Sequence, residues 1–454
     1  MKSRYSRREF IHTSSMAGLG LALAPGLIGM GKSPKAQVRL GFIGVGLRGC
    51  NHLHNVLSRQ DVIVPAICDI DPERLSIASD MIVKSGREKP ELYTGNEHAF
   101  EKLLQRSDID GVIIATPWLW HTRMAIASMR AGKYAGVEVS AANSLEECWD
   151  LVNTYESTRV PVMILENVCY RRDVMAVLNM ARQGIFGELE YAHCGYEHDL
   201  RGVKFEPGVE FGDKGIHESK WRTQHSVMQN ADLYPTHGLG PVATIMDINR
   251  GNRFVGISST ATKSRGLHKY IVDHAGETHP NASVRFKLGD IVTSVISTYN
   301  GENIVVMHDT NLPRPYSLSF RIQGTKGLWK GEGDGEYTDP GQQMYIEGVS
   351  KPHTWDKAED WLNKYDHPLW KKFELEAEGS GHGGMDFFVD RAFVEIIKRG
   401  EEAPLDAYDA AAWSSVTPLS ESSIARGGEL QEFPDFTRGM WIKRKPVFAL
   451  DDNY

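Results

Sequence analysis

Short apolar runs, separated by polar segments of helical length, mark the first part of the chain. Continuous apolar runs of this kind are typical of strands that are buried on both faces of a parallel sheet. The runs lie at residues 40–45, 62–68, 109–115, 133–139 and 160–165. Helices are predicted between them, notably at residues 122–131 and 145–158. This alternation of strand and helix predicts a doubly wound α/β domain.

The pattern changes after residue 175. Alternating runs joined by short polar turns such as Asn300-Gly301-Glu302 predict an antiparallel sheet. Strands are expected at residues 189–197, 254–262, 283–288, 291–299, 303–310 and 317–324. A loop is expected at residues 202–215, and an insertion or lid at residues 331–381. Helices are predicted at residues 385–398 and, as a pair that packs back on the first domain, within 405–426.

A glycine turn follows the first apolar run. Gly44, Gly46 and Gly49 have the spacing G-x-G-x-x-G, and Asp69 closes the second run. Glycines in these positions permit a tight turn, a close approach to a pyrophosphate and close helix–strand packing, and the helix N-terminus favours the phosphate charge. Asp69 can accept hydrogen bonds from a ribose 2′-OH, which favours NAD over NADP. The alternative is a glycine-rich turn in a fold that binds another ligand.

Residues at other strand ends face the same cleft in a doubly wound sheet. Trp118 and His121 follow the third apolar run, so we expect them to line the nicotinamide side. His121 could equally cap the helix that follows it.

These patterns predict two domains and a C-terminal tail. The fold class expected is α/β, with an N-terminal Rossmann doubly wound parallel sheet and a C-terminal α+β domain that carries a large open antiparallel sheet. The expected bounds are 37–175 for the NAD-binding domain, 176–430 for the substrate-binding domain and 431–454 for a C-terminal tail. An open sheet face often pairs with a second subunit, so a homodimer is a further expectation.

The first 36 residues differ in composition from the rest. The pattern Ser6-Arg7-Arg8-Glu9-Phe10-Ile11 precedes a mildly apolar segment that is too short to span a bilayer comfortably. We interpret residues 1–36 as a twin-arginine (Tat) export signal to the periplasm, either removed or kept as a tether. The alternative is an accidental arginine pair. No membrane span is expected in the mature protein.

Charge and cysteine content narrow the function classes. The 454 residues carry a net charge of −8 without a basic stripe, which argues against a nucleic-acid partner. The five cysteines are widely spaced, without a C-x-x-C pair that would indicate a metal site, and are expected to be small core residues. NAD is not freely available outside the cytoplasm. An exported protein would therefore need a tightly bound NAD that is not consumed.

Four motifs carry a family resemblance. They are ENVCY at residues 166–170, DLYPTHGLGP at 232–241, RPY at 314–316 and GHGGMD at 381–386. On these motifs, residues 37–430 resemble the Gfo/Idh/MocA oxidoreductases and, within them, glycoside hydrolase family 109, the NAD-dependent α-N-acetylgalactosaminidases. One departure from the oxidoreductase pattern is Glu138-Val139-Ser140, where typical members carry Glu-Lys-Pro. Valine cannot move a proton, so simple lysine-assisted alcohol oxidation is disfavoured.

The resemblance implies a redox-assisted elimination on a terminal N-acetylgalactosamine. Oxidation at sugar C3 acidifies the C2 hydrogen, the C1 substituent is eliminated, water adds, and reduction restores C3. The resemblance implies catalytic roles for Tyr196, His198, Tyr234, His237 and His382. It implies substrate contacts for Arg222, Tyr234 and Tyr316, and a contact of Glu166 with a sugar hydroxyl or with the nicotinamide ribose. It implies cofactor contacts for Gly44, Gly46, Leu47, Arg48, Asp69, Trp118, His121, Glu138, Asn167 and His198, and no metal.

Spacing supports two of these pairs. His237 and Tyr234 are three residues apart and would share a helix face, with His237 as the proton acceptor for the C3 hydroxyl. Tyr196 and His198 are two apart and would share a strand face, with Tyr196 first in line for the C2 proton. Each residue could instead have a structural role. His237 could be a helix-cap histidine, Tyr196 a half-buried sheet tyrosine, and His382 part of a glycine turn. Arg222 and Tyr316 could be packing residues. A sugar oxidoreductase and a non-catalytic sugar-binding protein are the alternative functions.

Overall fold

A six-stranded parallel sheet forms the first part of the fold. The computed structural model describes residues 35–331 and 341–454, so the predicted export signal, up to residue 34, lies outside the described residues. The strand order is β3-β2-β1-β4-β5-β6, with the change of direction between β1 and β4. The strands are β1 (Val38–Ile43), β2 (Val62–Cys68), β3 (Glu91–Tyr93), β4 (Gly111–Ile114), β5 (Tyr134–Val137) and β6 (Val162–Ile164). This is the predicted doubly wound sheet.

Helices connect and cover these strands. They are α1 (Leu47–Leu57), α2 (Pro72–Lys84), α3 (Ala99–Leu104), α4 (Trp118–Arg130), α5 (Leu145–Thr158) and α6 (Arg172–Arg182). Helix α5 has the predicted bounds, and its N-cap Ser144 accepts a hydrogen bond from the Glu147 amide. Helix α4 begins at Trp118, four residues before the predicted start. The short strand β3 was not predicted, because its Glu-Leu-Tyr sequence has no apolar run.

A nine-stranded sheet forms the second part. Its order is β14-β13-β12-β11-β7-β10-β9-β8-β15. The strands are β7 (Leu189–Glu197), β8 (Phe254–Ala261), β9 (Ile291–Thr298), β10 (Asn303–Asp309), β11 (Phe320–Gly324), β12 (Gly327–Gly331), β13 (Gln343–Ile346), β14 (Asp356–Lys357) and β15 (Gln431–Glu432). Strands β7 and β10 pair in parallel, whereas the other pairs are antiparallel. The sheet is therefore mixed, not purely antiparallel as predicted.

The structure departs from the prediction at three segments of this part. Residues 283–288 do not form a strand, because Phe286 and Leu288 bury their side chains in two separate small apolar clusters and the Leu288 amide donates to the Ser226 carbonyl. The segment predicted as an insertion or lid instead supplies β13 and β14 to the sheet edge and two helices beyond them. The predicted loop at 202–215 contains the end of a short helix, Arg201–Lys204.

The remaining helices place the two parts against each other. They are α7 (Arg201–Lys204), α8 (Arg222–Met228), α9 (Thr236–Ile245), α10 (Gly266–Ala275), α11 (Glu359–Lys364), α12 (Pro368–Ala377), α13 (Met385–Arg399), α14 (Ala407–Ser414) and α15 (Val416–Ala425). Helix α14 contacts α5 and β6, so the last helix pair does pack back on the first domain. Helix α13 lies on α1 and sets the Phe393 ring against Gly136 of β5.

The cysteines and the surface complete the fold. The five cysteines are free, and four of them are buried, as predicted for small core residues. Residues 431–432 pair with β8 at the sheet edge. No helix in the described part of the chain is long and apolar enough to cross a membrane. Pairing of the nine-stranded sheet with a second subunit stays a prediction.

Candidate active site

The glycine turn at the end of β1 has the geometry of a phosphate cradle. Gly44 has φ +87°, and a Cβ there would lie 2.5 Å from the Ala115 carbonyl oxygen. A Cβ on Gly49 would lie 2.1 Å from the Gly44 carbonyl oxygen, so this glycine lets α1 approach the turn closely. A Cβ on Gly46 would meet nothing within 4 Å. The turn therefore leaves open space at the start of α1, where Leu47 is exposed.

Asp69 fixes the shape of this cradle. One carboxylate oxygen accepts from the Val45 amide at 2.8 Å and the other from the Asp71 amide at 2.9 Å. Each oxygen retains a further lone pair, which can accept a ribose hydroxyl. The residues at the end of β1 and β2 therefore fit a dinucleotide.

A buried ionic network lies beside the cradle. The Arg48 guanidinium donates to Glu138 at 2.5 Å and to Asp386 at 2.7 Å. His52 lies between Glu138, at 2.7 Å, and Asp390, at 2.6 Å. Burial alone would lower the pKa of His52, but Asp390 raises that pKa to about 9. Burial likewise opposes the charge of Glu138 and Asp386, yet Arg48 and the nearby histidines hold both pKa values well below their usual range.

Asp386 connects this network to two predicted site residues. Its carboxylate accepts from the Asn167 side-chain amide at 2.6 Å and contacts His382 Nδ1 at 2.7 Å. Asp386 is fully buried, whereas half of the His382 side chain is exposed. Asp386, in the first turn of α13, thus orients both Asn167 and His382.

The aromatic residues predicted for catalysis form one cluster. The Tyr196 ring centroid lies 4.6 Å from that of Tyr234, 5.5 Å from His237 and 6.1 Å from Tyr316. The Tyr196 hydroxyl lies 3.2 Å from Nδ1 of His198. Tyr234 precedes α9 and does not share a helix with His237, but their rings lie 4.8 Å apart. The rings of Tyr234 and His237 are close, as predicted, but the two residues do not share a helix face.

A buried carboxylate orients His237. Nδ1 of His237 lies 2.8 Å and 3.0 Å from the two oxygens of Glu166, which is fully buried at the end of β6. A proton on Nδ1 donated to this carboxylate leaves Nε2 as the nitrogen that accepts a further proton. Such a dyad stabilises the imidazolium that forms when His237 acts as a base.

Two glycines in α9 allow this arrangement. A Cβ on Gly238 would lie 2.6 Å from the Gly195 amide nitrogen of β7, and one on Gly240 would lie 3.0 Å from the Glu166 side chain. The helix therefore lies close to β7 and to the end of β6 at once. This is how His237 comes to contact Tyr196 and Glu166 together.

Replacing Gly238 by alanine is expected to separate α9 from β7. Because the contact is with backbone, overpacking should lower the unfolding free energy by about 1–3 kcal/mol. Denaturant unfolding measures the change. The matched control is Gly202→Ala, where a Cβ meets nothing within 4 Å. Equal stability of both variants would contradict this account of the helix position.

Arg222 joins the aromatic cluster. Its guanidinium lies 5.1 Å from the Trp118 ring centroid and 5.0 Å from that of Tyr234, and it pairs with Glu218. The Trp118 and Tyr234 rings are 5.7 Å apart. Trp118 therefore lies where the first sheet meets the aromatic cluster.

His121 lies apart from these groups. It is buried in α4, and its two ring nitrogens lie 2.8 Å from the Ser140 carbonyl oxygen and 2.7 Å from that of Thr116. Burial lowers the pKa of His121 and favours its neutral form. Its ring ties two strand ends together, and a contact with a cofactor stays a prediction.

Sequence reasoning did not find the full ionic network. Asp386 lies within the quoted motif at 381–386, which was the available signal for it. His52 and Asp390 carry no such signal, because each lies in a helix whose sequence looks like an ordinary amphipathic one.

Comparison with known sequences agrees with this geometry. The family described as "Glycosyl hydrolase 109, C-terminal domain" matches residues 170–443, and "Oxidoreductase family, NAD-binding Rossmann fold" matches residues 38–165. The chain belongs to glycosyl hydrolase family 109. Among its relatives, a protein from Tannerella forsythia named "Alpha-N-acetylgalactosaminidase" is 51% identical over 98% of this chain and 99% of that protein. A family 109 protein from Stenotrophomonas maltophilia is 51% identical over 99% of both chains.

Solved structures show the fold of this family 109 member. An oxidoreductase domain protein from Kribbella flavida matches with a TM-score of 0.66 at 17% identity, over 88% of this chain and all of that one. An inositol dehydrogenase homolog from Azotobacter vinelandii, complexed with NADH and myo-inositol, matches with a TM-score of 0.64 at 17% identity, over 88% and 98%. The resemblance drawn from the four motifs is confirmed.

Proposed function

We propose that this protein removes terminal α-linked N-acetylgalactosamine by an oxidation, elimination, hydration and reduction sequence that uses a tightly bound, recycled NAD. The observation that carries the proposal is the Glu166–His237 dyad, in which Glu166 follows β6 and the His237 ring contacts Tyr196 and Tyr234. Val139 stands where typical Gfo/Idh/MocA oxidoreductases carry a lysine that helps to oxidise an alcohol. The name of the Tannerella forsythia relative supports the choice of sugar.

The chain offers a complete set of residues to hold the cofactor. Gly44 to Leu47 would face the pyrophosphate, and Asp69 would accept the ribose hydroxyls. Arg48, Glu138 and Asn167 are held rigid by the network around Asp386. When bound, NAD supplies hydride acceptance from sugar C3 and its later return.

His237 and Tyr234 act on the C3 hydroxyl. His237 accepts the hydroxyl proton on Nε2, while Glu166 stabilises the resulting imidazolium. Arg222 and Tyr316 hold the sugar from the other side of the cluster. Burial raises the pKa of Tyr234, which keeps it as a neutral hydrogen-bond donor.

Tyr196 and His198 act on the C2 hydrogen. Burial raises the pKa of Tyr196, and the positive charge of Arg222 offsets part of that rise. Burial and Arg222 lower the pKa of His198, which keeps its ring neutral. Its Nδ1 lies 3.2 Å from the Tyr196 hydroxyl and is the position to which the tyrosine passes its proton when it acts as a base. The tyrosine then removes the C2 hydrogen, which an adjacent C3 ketone has acidified. His382, half exposed and held by Asp386, assists the leaving group or orients the incoming water.

Protein washed free of added cofactor is the test material. We expect it to retain NAD and to release p-nitrophenol from p-nitrophenyl α-N-acetylgalactosaminide without added NAD. A substrate deuterated at C2 should exchange with solvent during turnover. Dependence on added NAD with stoichiometric formation of NADH would contradict the proposal. Absence of C2 exchange during turnover would indicate a plain sugar oxidoreductase.

We also propose export through the twin-arginine pathway. The support is the arginine pair Arg7-Arg8 ahead of a mildly apolar segment. Replacing both arginines by lysine should leave the protein in the cytoplasmic fraction, whereas the unchanged chain should be found in the periplasm. The exchange Lys2→Arg is the matched control, because it lies in the same charged region outside the pair. Equal export of the lysine pair would contradict the proposal.

A further inference from the structure

A small cavity lies beside Arg222 and Trp118. It has a volume of about 10 Å³, enough for one water molecule or one monatomic ion but not for an acetamido group. Its polar lining comes from α7, α8 and β10 and the residue after β10: Lys204, Arg222, Ser226, His308 and Thr310. Among the described residues that line it there is no carboxylate.

Lys204 is a buried amine on which the carboxylates of Asp290, Asp309 and Asp199 act only from beyond ion-pair distance. Its side-chain amine donates to the Thr310 hydroxyl at 2.7 Å and to the Asn311 side-chain oxygen at 2.6 Å, both neutral acceptors. Within the described part of the chain, no carboxylate lies within ion-pair distance of it. An ammonium has three donors, so one is left after these two bonds. Burying a charge without a counter-ion is costly, and an anion in the cavity would offset that cost.

Two further donors have no partner of their own. Ser226 Oγ and His308 Nδ1 are buried and make no hydrogen bond among the described residues. The Thr310 hydroxyl, which accepts from Lys204, lies 3.5 Å from His308 Nε2 and can donate to it. With the Thr310 hydroxyl as donor in this contact, the neutral ring of His308 carries its proton on Nδ1. Lys204, Ser226 and His308 thus present donors, and no acceptor in this cavity needs them.

We propose that this cavity is a binding site for one halide ion, chloride in the natural setting. The ion would accept hydrogen bonds from Lys204, Ser226 and His308 and would face the positive charge of Arg222. A water molecule would satisfy fewer of these groups, because it needs acceptors for its own two protons. Burial and Arg222 lower the pKa of Lys204. A bound anion would reverse that effect and keep the lysine charged.

Bromide identifies the ion directly. Crystals of the full protein grown in sodium bromide should show one anomalous bromine peak between Lys204, Ser226 and His308. The Lys204→Met variant should lack it, and the exposed-lysine variant Lys263→Met should retain it. A water molecule without bromine signal in the wild-type cavity, or a bromine peak that persists in Lys204→Met, would overturn the proposal.

Solution measurements need no substrate, so they are independent of the proposed glycosidase activity. At constant ionic strength, replacing sodium gluconate by sodium chloride at about ten times the dissociation constant should raise the unfolding temperature by about 1–2 °C. Ser226→Ala should abolish this rise while removing only one hydroxyl. It also keeps the test decisive if Lys204→Met fails to fold. An equal rise in wild type and Ser226→Ala would contradict the site.

Discussion

Replacing His237 by alanine is expected to lower kcat by about 10²–10⁴-fold, the usual contribution of a positioned general base. The reason is geometric. His237 reaches the aromatic cluster from α9, and the buried Glu166 carboxylate, 2.8 Å from Nδ1, fixes which nitrogen receives a proton. Without the imidazole, a hydroxyl proton at sugar C3 has no acceptor oriented in this way. Steady-state kinetics with p-nitrophenyl α-N-acetylgalactosaminide measures the effect.

Controls separate a chemical role from a structural one. His268→Ala removes an exposed histidine of the same domain and should leave kcat unchanged. His237→Ala should keep its unfolding temperature and its NAD content, because the cradle at Gly44 lies on another part of the fold. Glu166→Gln should lower kcat while leaving the histidine in place. A kcat for His237→Ala within tenfold of wild type would exclude His237 as the proton acceptor and would favour a sugar-binding role for the cluster.

The cofactor cradle could be predicted from sequence because its determinants are local. Gly44, Gly46 and Gly49 lie within one turn, and the strand–turn–helix pattern around them places the open surface without any long-range contact. The apolar runs of the first sheet were predictable for a related reason. Strands covered on both faces are apolar throughout, so β1, β2, β4, β5 and β6 each appear as a continuous run.

The mixed second sheet could not be predicted in the same way. Strands β7 and β10 pair in parallel although more than 100 residues separate Tyr191 from its partner Asn303. The alternation of apolar and polar residues in either strand does not indicate whether the neighbouring strand runs parallel or antiparallel. The strand predicted at 283–288, which does not form, shows the converse problem. The alternating Phe286 and Leu288 resemble the pattern of a half-buried strand, but in the structure their side chains are buried in two separate apolar clusters.

The site depends on both the local sequence pattern and the long-range packing of the fold. Tyr196 and His198 were placed together by strand period alone, and their contact at 3.2 Å follows from it. Arg48 and Asp386 are 338 positions apart in the chain, and only the packing of α13 on α1 brings them together. The ionic network beside the cradle is therefore a property of the tertiary fold, although one member lies in a recognisable motif.

Replacing Arg48 by methionine should be among the most destabilising changes in the cleft. It leaves the carboxylates of Glu138 and Asp386 buried without their shared guanidinium, and removing one partner of such a network typically costs about 3 kcal/mol or more. Denaturant unfolding at pH 7 measures the loss, and the retained NAD should fall with it. Arg106→Met is the matched control. The Arg106 side chain is 23% exposed, against 25% for Arg48, but its carboxylate partners are 37% and 57% exposed. The free energy of unfolding should therefore fall by less than about 1 kcal/mol.

The pH dependence of the unfolding free energy tests the same network in both acidic and alkaline solution. Glu138 and Asp386 have folded-state pKa values below their ordinary ones, so their contribution is present above about pH 4.5 and is lost as pH falls. His52 has a pKa raised from 6.5 to about 9, so its contribution is complete below pH 6.5 and is lost as pH rises through about 9. Wild-type stability should therefore decline on both sides of a maximum between these limits. In Arg48→Met the acid side should flatten, because protonating the two carboxylates then relieves negative charge that no guanidinium offsets. An acid limb as steep as that of wild type would show that Arg48 does not hold these carboxylates ionised.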